Sequence, residues 1–132
     1  DVSIPQDYIN ETSQRLRTYK RISSTETEEE LRQIYVEIQD RYGKLPESLE
    51  NLFEYARLRQ IAEVMHIISV DKTKDGIAIK LDEKSQVAPE KLMQLVEEIE
   101  GSAFSPNGIL RVSVNKDNLI ENARKILEEI KN

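Results

Sequence analysis

One histidine, His66, and acidic pairs such as Asp82-Glu83, Glu97-Glu98 and Glu128-Glu129 are groups in this sequence suited to proton transfer or cation binding. Metal and nucleophile sites need converging partners, and His66 has none at ligand spacing, so it reads as a boundary histidine. Adjacent residues on a helix diverge by about 100°, so Glu97-Glu98 and Glu128-Glu129 each point two ways instead of at one atom. The pairs read as solvated faces. There is no GxxxxGK[ST] phosphate loop, no GxGxxG and no Cys, which removes the usual carriers of nucleotide and thiol chemistry. No catalytic residue, metal ligand or cofactor is assigned.

The remaining chemistry is that of a protein-binding surface. In EELRQIYVEIQDRYG (Glu29 to Gly43), Glu37 and Asp40 stand at i and i+3, opposite an apolar stripe and flanked by Glu30 and Gln33. Ordinary solvent exposure is one reading of this acidic edge. The other is a surface for a basic partner, above all an arginine able to take a carboxylate in two-point contact. Arg15, Arg17, Lys20 and Arg21 form a basic set without interleaved aromatics, which reads as a solubilising helix face with no further role assigned. Arg57 and Arg59 could join it or pair with nearby carboxylates.

The elements that position these groups follow from periodicity. Pro5 and Asp7 lead into a helix over about 10–22, with Leu16, Tyr19 and Ile22 as its apolar positions. Thr27 and Glu30 form a capping box for a second helix, whose stripe Leu31, Ile34, Tyr35, Ile38 and Tyr42 ends at Gly43. Leu45-Pro46-Glu47 restarts the chain, and Leu49, Leu52, Phe53, Ala56 and Leu58 to Ile61 carry a third helix to about Met65. The short connection makes helices two and three an antiparallel hairpin.

Beyond His66 the period becomes two. Ile68 and Val70, a turn at Lys72 to Gly76, and Ile77, Ile79 and Leu81 predict a β-hairpin with Asp-Gly at its end. A helix over about 89–100 closes at Gly101, two strands at 103–105 and 109–114 meet at Pro106-Asn107-Gly108, and a last helix spans about 116–131. The order ααα-ββ-α-ββ-α is an α+β fold, with helices on one face of a small antiparallel sheet. One domain is expected over 1–132, helical through residue 66 and ββαββα from residue 67.

Composition bounds the function. The 132 residues carry 19 Lys plus Arg against 25 Asp plus Glu, a formal charge of −6, and such a field repels duplex phosphates unless a basic patch is segregated. No direct nucleic-acid binding is expected. No apolar run approaches membrane-spanning length and no secretory signal opens the chain. With no Cys, a reducing cytoplasm is the expected setting, and the isolated fragment is expected to be a monomer. The start at Asp1 is the expectation for a piece of a longer polypeptide.

RLRTYKRI (Arg15 to Ile22), EELRQIYVEIQDRYGKLPE (Glu29 to Glu47) and NLFEYARLR (Asn51 to Arg59) closely resemble the carboxyl-terminal domain of bacterial transcription-repair coupling factor. The resemblance is tight over residues 4 to 59 and looser after His66, where the order of elements carries it. It implies a regulatory, non-enzymatic domain of an ATP-driven DNA translocase that releases RNA polymerase stalled at lesions and recruits excision repair. In that family the domain packs on an amino-terminal module resembling UvrB and hides the surface that recruits UvrA. Carboxylates in a VEL-IDRFG-like segment make that contact, and they match Glu37 and Asp40 in VEIQDRYG. The alternatives are a stand-alone adaptor that binds through the helical hairpin, and a hydrolase using Asp/Glu pairs, which would need a cleft holding a carboxylate of raised pKa.

Overall fold

A computed structural model describes residues 2–131. Helix α1 runs Thr12–Ser23, α2 Glu28–Tyr42 and α3 Glu47–Val64, followed by β1 Ile67–Lys72, β2 Gly76–Leu81, α4 Pro89–Glu98, β3 Ala103–Ser105, β4 Ile109–Ser113 and α5 Leu119–Ile130. The expected order ααα-ββ-α-ββ-α and α+β class are those observed. The chain divides into two compact units, one ending at Gln60 and the other beginning at Ile61.

The first unit is built on the stripes. Ile4 and Ile9 from the lead-in, Ile22 from α1, Leu31, Ile34 and Ile38 from α2, and Leu45, Leu49, Phe53 and Ala56 around α3 form one buried cluster. Its non-directional attraction fixes which helix faces turn inward. Glu28 pairs with Arg57 at 3.0 Å while Tyr35, further along α2, meets Glu50 and the Phe53 ring on earlier residues of α3. The two helices are therefore antiparallel, as their short connection requires. Leu16, expected on the apolar side of α1, is instead 60 % exposed. Burial of α1 rests on Ile22, and on Tyr19, whose hydroxyl accepts the Ile4 N–H at 2.7 Å.

In the second unit the sheet order is β1-β2-β4-β3, all neighbours antiparallel. The register sets Val70, Ile79, Leu110 and Phe104 in one row across it, and Ile77 opposite Val112. Ile77, Ile79, Leu110 and Val112 are buried, as are Leu92 and Leu95 of α4 and Ala123, Ile126, Leu127 and Ile130 of α5. The expected Asp-Gly turn is shifted. Thr73 N–H donates to the Gly76 carbonyl at 2.8 Å, which leaves Lys74-Asp75 at the tip and makes Gly76 the first strand residue. A Cβ there would stand 2.1 Å from the Val112 carbonyl oxygen, so close strand approach, not turn geometry, demands the glycine.

The helix ends differ by a few residues from expectation for local reasons. Asn118 takes a left-handed φ of 60°, and the Asn122 side chain donates to the carbonyls of Asn115 and Asp117, so residues 116–118 form a turn and α5 begins at Leu119. Ile99 is extended, which stops α4 at Glu98.

Candidate protein-binding face

Helix α2 is held at both ends. The Thr27 hydroxyl accepts the Glu30 N–H at 3.1 Å, and the Glu30 carboxylate accepts the Thr27 N–H at 3.1 Å, which completes the capping box. At the other end Gly43 has a φ of 91° and donates its N–H to the Gln39 carbonyl. Its own carbonyl accepts the Tyr8 hydroxyl at 2.6 Å. With Leu31, Ile34 and Ile38 buried between these ends, the outward residues have little freedom to rotate about the axis.

Both expected site residues lie outward. Glu37 and Asp40 are exposed, and Val36, four residues before Asp40 and so on the same side of the helix, leaves 40 % of its surface open. They do not share one electrostatic state. Arg21 of α1 reaches Glu37 through both guanidinium nitrogens, at 2.7 and 3.2 Å, with 44 % of Arg21 and 58 % of Glu37 exposed. Donation from Arg21, then its charge, with a further contribution from Arg41, holds the Glu37 carboxyl below the usual carboxylate range. The same contact raises the Arg21 guanidinium.

Asp40 differs from every other carboxylate of α2. Glu28 meets Arg57, Glu29 meets Arg32 at 2.6 Å, Glu30 closes the capping box and Glu37 meets Arg21. Among the described residues no such partner engages Asp40. Its neighbour Arg41 lies 5.1 Å over the Tyr42 ring, which in turn packs on Tyr8.

The basic set of α1 separates into different jobs. Arg15 donates to the Ile9 and Asn10 carbonyls at 2.8 Å and to the Thr12 hydroxyl, tying the lead-in to the helix. Arg21 clamps α1 to α2, whereas Arg17 and Lys20 are exposed. Arg57 bridges Glu28 and Glu54, and Arg59 donates to the Thr25 carbonyl at 2.9 Å. Sequence reasoning missed the Arg21 contact, since its partner lies sixteen residues away on another helix.

The other chemical groups stay dispersed. His66 is exposed at the α3–β1 junction with φ 55°, its carbonyl accepting the Asp82 N–H. Among the described residues no three His, Cys, Asp or Glu side chains gather as metal ligands, and no helix is long and apolar enough to cross a membrane. Among the described residues the carboxylates with displaced titration, Glu37 and the Arg32-bound Glu29, are lowered. A proton-donating catalytic acid needs the opposite direction.

A family model, the TRCF domain, matches residues 1–92. A transcription-repair-coupling factor of Haemophilus influenzae is 36 % identical over 94 residues and one of Escherichia coli 40 % identical over 94, each covering 71 % of this chain and 8 % of the relative. A third, of Rickettsia typhi, is 25 % identical over 96 % of the chain and 11 % of the relative. The chain thus spans about a tenth or less of the curated relatives it matches. The crystal structure of a C-terminal domain of transcription-repair coupling factor superposes with a TM-score of 0.83 over 98 % of this chain and 86 % of that one, at 17 % identity. That match speaks for the fold, and the sequence matches speak for descent. The chain belongs to the TRCF domain family, carried by the transcription-repair coupling factors.

Proposed function

We propose that this chain is an autoinhibitory latch within a longer polypeptide, a cytoplasmic ATP-driven DNA translocase that releases stalled RNA polymerase and recruits excision repair. The latch contributes no chemistry of its own. The outward face of α2 docks on the polypeptide's UvrB-like amino-terminal module and covers the surface that recruits UvrA. Engagement of RNA polymerase and DNA by the parent undocks it.

The observation that carries this reading is the exposed pair Glu37 and Asp40 on a helix fixed at both ends. Asp40, unengaged, and Val36 beside it offer charge and apolar area to a basic partner. Two-point contact with an arginine is the strongest form of that recognition. Docking that favours the covered state by ~1–3 kcal/mol changes UvrA access about 5- to 150-fold.

The experiment is Glu37→Ala with Asp40→Ala in the full-length parent, with UvrA affinity measured directly. Affinity should rise within that range, while the thermal midpoint of this 132-residue chain carrying the same changes stays close to wild type. Unchanged UvrA affinity would remove the latch. A stand-alone adaptor differs in a second arm, because only a latch added in trans to a parent lacking this segment suppresses UvrA binding.

A further inference from the structure

We propose that Arg21 is a resident competitor for the latch contact: it occupies the Glu37 carboxylate in the undocked chain, and docking exchanges it for a guanidinium of the partner. The inference rests on the latch reading above and adds to it a second, opposing residue on a different helix.

The geometry carries the argument. A guanidinium already sits on Glu37 in two-point contact, at 2.7 and 3.2 Å, so the carboxylate is oriented for that shape of donor before any partner arrives. Both members are about half exposed, and an exposed pair of this kind is weakly held because water screens it and two long side chains lose freedom. A partner arginine brought in with its surroundings desolvated forms the same two bonds in a lower dielectric, where each is stronger. The apolar area covered around the contact and the second carboxylate, Asp40, offset the cost of desolvating the pair, so exchange favours the partner, and Arg21, exposed on α1, can swing into water. A lysine offers one point of contact and replaces two bonds with one. The resident pair therefore selects against lysine, while Asp40 stays open to the incoming charge.

Removing the competitor should tighten the latch. In the full-length parent, Arg21→Gln should weaken the apparent UvrA affinity about two- to fivefold, the range that loss of one exposed pair allows. Lys20→Gln removes the same charge from the neighbouring position without touching Glu37 and serves as the reference. Arg21→Lys should fall between wild type and Arg21→Gln. In a Glu37→Gln background, Arg21→Gln should do no more than Lys20→Gln.

The outcomes separate cleanly. If Glu37→Ala with Asp40→Ala raises UvrA affinity and Arg21→Gln lowers it beyond Lys20→Gln, competition stands. If the double change raises affinity but Arg21→Gln matches Lys20→Gln, the latch survives and the competitor is refuted. If the double change has no effect, both fall together. A circular-dichroism melt of each variant of the 132-residue chain distinguishes a lost helix contact from a lost fold.

Discussion

Glu37 accepts two bonds from Arg21 while more than half exposed, and this sets its titration. The folded carboxyl lies below the ordinary glutamate value, about 4.3, whereas in the unfolded chain it returns to that value. A depressed folded pKa means the pair stabilises the fold above the unfolded value and loses that contribution as pH falls through the folded one. Carbon-detected NMR of the side-chain carboxyl should give Glu37 a midpoint below ordinary glutamate, and Arg21→Gln should move it up. The stability difference between the two proteins, at most ~1 kcal/mol for so exposed a pair, should be present at neutral pH and vanish in acid. The spacing of Glu37 and Asp40 was legible in the sequence, because three residues along a helix define a face. Engagement of one and not the other was not legible, since it depends on packing of α1 against α2. Leu16 failed for a related reason: helical spacing marks a potential apolar side without showing that a neighbour covers it.

At the scale of elements, Ile38 and Gly76 fail in different ways when changed. Ile38 is 4 % exposed in the α1–α3 core, so Ile38→Ala should cost ~2–5 kcal/mol through the cavity left behind, read as a lower denaturation midpoint with an unchanged slope. Gly76→Ala adds one methyl group, yet it drives a Cβ against the backbone of β4 and should disturb β2–β4 pairing. Amide exchange should quicken at Ile77 to Ile79 and Leu110 to Val112. Helix α2 was readable because stripe, capping box and terminator agreed within one segment. Strand order was not, because β2 pairs with β4 across an intervening helix and strand, and no local signal encodes a partner that far away. The ends of α4 and α5 moved because a side-chain-bonded turn at Asn115 to Asn118 and an extended Ile99 compete with helix continuation.

The whole molecule carries a formal charge of −6, a field that opposes polyanions and draws cations. Two outcomes should follow together. A mobility-shift titration with duplex DNA at about 150 mM salt, where exposed charges still act over about 8 Å, should show no retention of the isolated chain. Docking on a basic partner should weaken steadily as salt rises, in step with screening of Glu37 and Asp40. Retention on DNA at that ionic strength would point to a segregated basic patch and a different role. This overall charge was the one whole-molecule property available directly from composition, whereas the two-unit division depends on contacts that composition does not describe.

The link between α1 and α2 has a further consequence. Thr25 is 3 % exposed and is bonded from three sides, giving its hydroxyl proton to the Ile22 carbonyl and receiving donors from Gln60 and Arg59, while Gln60 also donates to the Thr27 carbonyl. Short connectors are ordinarily where a gene tolerates added or deleted codons. Here one inserted residue between Ser24 and Glu26 would strand the Gln60 amide and slip Arg21 out of step with Glu37. Length variation and affinity tags belong elsewhere in the chain.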